Sequence, residues 1–185
     1  MRNLELYSTA SIDHLIWSTY EDVTKLDSPA ISIFTDFDHS QPLVIDLDTS
    51  APKALEIFER THTFMRLVVD KRNKFMGVIT LREFHQNMVK QATKERVSPE
   101  DVSVKDLMIP RDQVLSLDFE QLSSATVGDV VRALQENGLH HILVIDHELH
   151  HIRGMISAND LARKLGVPIN IKEPPSFMQI FNHLG

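Results

Sequence analysis

The sequence predicts an α/β (α+β) fold, built from two β-α-β-β-α repeats related by a pseudo-twofold axis. Three observations predict it. First, residues 49–70 and 125–146 align with each other without a gap. Second, each copy ends in an aliphatic run and an aspartate: Leu67, Val68, Val69, Asp70 and Leu143, Val144, Ile145, Asp146. Third, each run is followed, after a short polar turn, by glycine, two apolar residues and a hydroxyl. These are Gly77, Val78, Ile79, Thr80 and Gly154, Met155, Ile156, Ser157. One such unit is too short to bury its own apolar faces, but two can cover each other. Clefts between stacked repeats are natural seats for a small ligand.

The elements follow in order. Residues 1–28 form an N-terminal segment in which Ile12, Leu15, Ile16 and Trp17 make one short apolar face. The first repeat spans 29–92. Ala30–Phe34 and Leu43–Leu47 read as strands. Thr49 or Ser50 caps a helix, with Pro52 in its first turn where a missing N–H costs little. Ala54, Leu55, Ile57 and Phe58 give that helix an apolar face. Met65–Val69 and Phe75–Ile79 read as paired strands around a polar turn, and a helix follows from about Thr80 to Gln91. Residues 93–110 are the connector, with a short helical turn at Val104–Met108 stopped by Pro110.

The second repeat spans 111–168. It offers a strand at Val114–Leu117, a helix at Val127–Leu134 closed near Gly138, and strands at Ile142–Ile145 and Ile152–Ile156. A last helix, Ala158–Leu165, ends at Gly166 and Pro168. The tail, 169–185, carries a Pro174–Pro175 break. Beyond it Ser176 caps a helix whose stripe is Phe177, Ile180, Phe181 and Leu184.

A chain of 185 residues that is 42% apolar and 24% charged has the composition of a globular protein, not a disordered one. Its formal charge of −7 argues against nucleic-acid binding, which calls for a basic face. It has no cysteine, so disulfides and thiolate catalysis are excluded. Neither a signal peptide nor an apolar run of membrane-spanning length is legible. The expectation is a cytoplasmic protein that does not engage a membrane.

The residues described so far resemble a tandem pair of cystathionine-β-synthase (CBS) domains, a Bateman module standing alone. The resemblance rests on the strands ending in Asp70 and Asp146, and on the Gly-x-x-hydroxyl-x-x-acid groups at Gly77–Glu83 and Gly154–Asp160. It rests also on the connector Val104, Lys105, Asp106, Leu107, Met108, and it covers about residues 29–168. It implies a regulatory module, not an enzyme, that senses an adenosine-containing ligand such as AMP, ADP, ATP or S-adenosylmethionine. It implies a homodimer acting on a separate regulated protein.

The resemblance also implies the site. A carboxylate takes the ribose hydroxyls while a hydroxyl and a helix start face the phosphate, which suits the chemistry of both groups. By position these residues are Ser157 and Asp160 in the second copy, and Thr80 and Glu83 in the first. Glu83 departs from the family's aspartate, so the second-copy site is expected to be the better one. Arg153 could offer charge to a phosphate, and Ile142 and Leu143 could lie against the base. The residues alone give a second reading. Thr80-x-x-Glu83 is a helix capping box and Ser157-x-x-Asp160 a near variant of one.

Five histidines crowd His140–His151: His140, His141, His147, His150 and His151. A metal site is one reading, and exposed polar turn residues the other. On a strand, His140 and His141 should point to opposite faces. Three functions are therefore weighed: an adenosine-sensing regulatory module, a dimerisation protein without bound nucleotide, and a metal-binding protein. No metalloprotease motif, nucleophile elbow or phosphate-cradling glycine loop is present, and no catalytic residue is assigned.

Overall fold

A computed structural model describes residues 24–94 and 98–171. The N-terminal apolar face and the tail helix expected above lie outside these residues. Among them are two four-stranded mixed sheets with helices on their outer faces.

The first sheet has the order β2–β3–β4–β5. These are Val44–Asp46, Met65–Val69, Phe75–Thr80 and Ile109–Pro110. The second has the order β6 (Ser116–Asp118), β7 (His141–Asp146), β8 (His151–Ser157) and β1 (Thr35–Asp36). The two have one plan. An opening strand runs parallel to the next, a hairpin follows, and a two-residue strand closes the edge antiparallel. The closing strands distinguish the copies. β5 comes from the connector after the first copy, whereas β1, at the head of the chain, closes the sheet of the second copy.

Both edges depend on a missing side chain. A Cβ on Gly77 would lie 2.1 Å from the Ile109 carbonyl oxygen, and one on Gly154 would lie 2.1 Å from that of Thr35. No side chain fits there, so the shared glycine of the repeat exists to let the fourth strand approach.

The helices follow from their caps and apolar spacing. α1, Ala51–Thr61, has Ser50 at its N-cap and Pro52 in its first turn, buries Ala51, Ala54 and Phe58, and ends at His62 with φ of 49°. Its counterpart α5, Val127–Asn137, opens on a capping box of Thr126 and Asp129 and buries Val127, Val130 and Leu134. It ends where Gly138 takes φ of 64°, the left-handed cap that glycine accepts without strain. α2, Leu81–Lys94, and α6, Ala158–Leu165, each start at the end of a hairpin strand. α3, Val104–Leu107, is the single turn expected in the connector.

Besides the two-residue strands β1 and β5, which were not expected, two further elements stand out against the sequence expectation. Ala30–Ile33 is a 3-10 helix and not a strand. Pro29 opens it, and Ala30 and Ile33, three apart, both enter the core of the second copy. α4, Phe119–Ser124, was not expected; the Asp118 carboxylate accepts from the Glu120 and Gln121 N–H groups and starts it.

Three buried clusters hold the fold. Phe58, Val68, Ile79 and Phe84 with connector residues Val102, Val104 and Leu107 make one. Ile33, Leu122, Leu134, Val144, Ile156 and Leu161 belong to another. The third, Met65, Leu67, Val78 and Leu143, lies between the sheets. Each such side chain, fully buried, is worth about 1.5–3 kcal/mol.

Candidate functional site

The inter-sheet cluster separates two clefts. Strand alternation decides what faces them. On β7, Ile142 and Val144 point to the helices, so His141 and Leu143 point to the other sheet. On β3, Val68 packs toward α1, while Met65 and Leu67 face inward.

The first cleft has a volume of about 390 Å³ and opens where both hairpins hand over to their helices. Phe64, Met65, Val78, Ile109, Val114, Leu139 and Leu143 supply apolar wall. Thr80, Glu83, Gln113, His140, His141 and Asn159 supply polar groups. Both copies therefore contribute. The repeat aligns Phe64 and Met65 with His140 and His141, so an apolar pair on one side of the cleft answers an imidazole pair on the other. His140 and His141 both line it, although a strand would separate them. The reason is that β7 starts only at His141, leaving His140 free of the pleat.

The second cleft, about 1040 Å³, opens at the hairpin turns on the far side. Its lining includes Phe37, Asp38, Lys74, Arg111, Asp146, His147, His150, His151 and Arg153.

The seven residues singled out from sequence divide between these places. Thr80, Glu83 and Leu143 line the first cleft. Thr80 and Glu83 hold each other. The Thr80 hydroxyl donates to the Glu83 carboxylate, and the Glu83 N–H donates back to that hydroxyl at 3.2 Å. Arg153 lines the second cleft. Its guanidinium donates to both carboxylate oxygens of Asp36 at 2.9 Å, pairs with Asp38 at 3.1 Å, and lies 5.0 Å from the centre of the Phe119 ring. The Asp36 carboxyl is held below the usual aspartate range, first by its hydrogen bond from Arg153. Ser157 and Asp160 line neither cleft, although Asn159 between them lines the first. Ser157 caps α6 by accepting the Asp160 N–H at 3.5 Å, and the Asp160 carboxylate pairs with Arg163. Ile142 is buried in the core of the second copy.

His141 is the residue that sequence reasoning placed least well. Its Nδ1 is buried and has no hydrogen-bond partner among the described residues. Burial pushes the imidazole down to about 4; His140 adds to the drop and Asp160 opposes it. The ring is therefore neutral at pH 7. The signal in the sequence was its place two residues before Leu143 on the same strand face. Of the other histidines of the cluster, His140 lines the first cleft and His147, His150 and His151 line the second. His147 lies 3.7 Å from Asp118, and among the described residues no group of three or more histidines and carboxylates is arranged to hold a metal ion.

Two four-stranded sheets of one plan, with exchanged edges and a cleft between them, define a tandem repeat of one α/β unit. The CBS-domain family profile matches residues 34–90 and 104–167, well over half of the chain. The chain belongs to the CBS-domain family. No curated protein is significantly similar to it in sequence. Several solved structures share the fold. One is an uncharacterized conserved protein from Pyrococcus horikoshii, with a TM-score of 0.58 at 17% identity, covering 76% of this chain and 93% of that one. A second is CBSX2, from Arabidopsis thaliana, in complex with AMP, with a TM-score of 0.54 at 20% identity over 74% of this chain and 94% of that one. A third is the CBS domain pair of protein MJ0100 with 5′-methylthioadenosine and S-adenosyl-L-methionine. Its TM-score is 0.53 at 15% identity, over 74% of this chain and 98% of that one. Among the described residues no helix is long and apolar enough to cross a membrane.

Proposed function

We propose that the chain is a regulatory module whose first cleft binds an adenosine-containing ligand and which acts, as a homodimer, on a separate protein. One observation carries the reading. The cleft joins apolar walls from both sheets to a few convergent polar groups, the composition expected of a small-molecule site. The AMP and S-adenosylmethionine complexes of structures with this fold support the ligand class.

The geometry favours a seat at Thr80 and Glu83 over the second-copy pair. The Glu83 carboxylate lines the cleft, and its oxygen not used by Thr80 can accept from a ribose hydroxyl. Ser157 and Asp160 remain the proposed contacts of a second, weaker seat beside Asn159. Leu143 and the apolar wall would lie against the base. The reading assigns no catalytic role to any residue.

The test is calorimetric titration of the full chain with AMP and with S-adenosylmethionine, in the wild type, Glu83→Ala and Asp160→Ala. Removing a hydrogen bond to a charged group is worth about 1.5–3 kcal/mol, so Glu83→Ala should weaken binding by at least about tenfold and Asp160→Ala by less. If Asp160→Ala abolishes binding and Glu83→Ala does not, the seat is at the second copy. If the wild type binds neither ligand, the reading fails.

A further inference from the structure

Phe64 and Leu115, one from each repeat, flank the first cleft and are 58% and 54% exposed. Large apolar side chains left open on both sides of one groove mark a surface made to be covered. We propose that the first cleft is the docking groove for the chain's own C-terminal segment, Ser176–Leu184, which lies outside the described residues. The docking stands on the cleft and on the course of the chain; its consequence for ligand entry rests on the reading above.

The course of the chain brings this segment to the groove. Beyond α6, Ile169 and Ile171 pack on the core of the second copy, as does Leu139, which also lines the cleft. The Gln135 side-chain amide donates to the Asn170 carbonyl at 3.1 Å. Gln135 is in the last turn of α5, about 5 Å of helix rise before Gly138 at the cleft wall. From Ile171 the chain can reach up to about 20 Å by Phe177. The head of the chain arrives at the opposite end of the same helix, where the Gly128 N–H donates to the Leu26 carbonyl at 2.8 Å. That end is about 15 Å of helix rise from Gly138. The tail, not the head, leaves beside the opening.

The chemistry of the segment supplies the second argument. Phe177, Ile180, Phe181 and Leu184 recur at the spacing of one helix face. From Pro174 to Gly185 there is no Asp, Glu, Lys or Arg, in a chain that is 24% charged. A segment meant to stay in water is rich in charge and poor in large apolar residues, the reverse of this one. A short helix of this kind holds only when its apolar face is packed. The cleft is its complement: the wall is mainly apolar, and the Arg82 and Glu83 on it are opposite in sign. The matched CBS segments end at residue 167, so the stripe lies outside the family unit. Docked there, the stripe covers the walls that a ligand would use, and the cleft opens to a ligand only when the segment leaves.

The experiment uses the absence of cysteine from the chain. Full-length protein carrying Leu115→Cys and Gln179→Cys is treated with a short bismaleimide. The control carries Leu149→Cys and Gln179→Cys, which puts the first cysteine at the second cleft. Gln179 is not part of the stripe, so its substitution leaves the stripe intact. The Leu115 pair should link within one chain at least about tenfold faster than the Leu149 pair, because docking raises the local concentration of the second cysteine. Adding Phe177→Ser and Phe181→Ser should erase the difference. Equal linking by the two pairs would overturn the inference. Links between two chains would give the groove to the tail of a second copy and overturn it as well. Calorimetry with adenosine reads the consequence for ligand entry. With the cleft free for about a tenth of the time, the Phe177→Ser, Phe181→Ser protein should bind about tenfold more tightly than the wild type. Equal affinities would remove the competition. If neither protein binds adenosine, the function proposed above fails, while the cross-linking still decides the docking.

Discussion

His141 and Asp36 each contribute to the acid response, in different pH windows. His141 is neutral in the folded chain because its pKa is held at about 4, against about 6.5 for an exposed histidine. Between those values the unfolded chain takes up a proton that the native chain refuses. Stability from this source is therefore complete above about pH 6.5 and falls as the pH drops toward 4, by at most about 3 kcal/mol. Urea denaturation at pH 7.5 and pH 5 should show the loss in the wild type, and His141→Leu should lack that component. Asp36 works lower down. Its folded pKa is depressed, chiefly by the Arg153 hydrogen bond, so the pair stabilises above the ordinary aspartate pKa of about 3.9 and is lost as the pH falls through the folded value. Arg153→Met should lower the melting temperature at neutral pH and flatten the acid limb below about pH 4. Equal melting curves for the two proteins across that limb would contradict the assignment. None of this was legible at Arg153, because its partner lies 117 residues away. Thr80 and Glu83 were legible, because the signal that marks a possible ligand pair also marks a helix cap, and here the two residues serve the cap and face the cleft as well.

The elements that the sequence specified are those with periodicity and punctuation. α6 runs Ala158–Leu165 as expected, between a serine cap and Gly166. β3 runs Met65–Val69 as expected. What escaped were β1 and β5, two residues each, which have no room for an alternating pattern and are strands only because of what they pair with. The run Ala30–Ile33 misled for the same reason. Its two buried residues fit an i, i+3 spacing as well as any strand, and tertiary packing decided between them. The glycines were read as motif markers, whereas their physical role is to admit those short strands. Gly154→Ala forces its Cβ against the Thr35 carbonyl and should cost at least about 1–3 kcal/mol, the range for overpacking. Gly77→Ala should do the same at Ile109. Gly166 has nothing within 4 Å of its added Cβ, so Gly166→Ala should lose only its left-handed cap, about 1 kcal/mol. A urea series on the three variants checks the order.

At the scale of the whole molecule, the two repeats are not consecutive beads. The head of the described chain closes the second copy. Ala30 donates to the Ala125 carbonyl, Val127 donates to that of Ser28, and β1 pairs with β8. The connector closes the first copy in the same manner, with Ala51 donating to the Val102 carbonyl and Val104 to that of Thr49. Damage at residue 33 should therefore appear more than a hundred residues away. Ile33→Ala removes a buried side chain and should cost about 2–4 kcal/mol. The added hydrogen exchange should concentrate in β7 and β8; faster exchange in α1 and β3 instead would contradict the exchange of edges. The repeat itself was legible because both copies keep one hydrophobic plan. The crossing of their edges was not, since no local pattern records which sheet a two-residue strand joins.

The cleft between the sheets, at the helix starts, is the proposed seat of an adenosine-containing ligand. The most direct measurement blocks each cleft in turn. Leu115 is 54% exposed and lines the first cleft; Leu149 is 58% exposed and lines the second. Both can carry a larger ring without disturbing the core. Adenosine affinity should be measured by calorimetry in the wild type, Leu115→Trp and Leu149→Trp. Binding should fall by at least about tenfold in Leu115→Trp and remain near the wild-type value in Leu149→Trp. Unchanged affinity in Leu115→Trp with loss in Leu149→Trp would place the ligand at the hairpin turns and contradict the account.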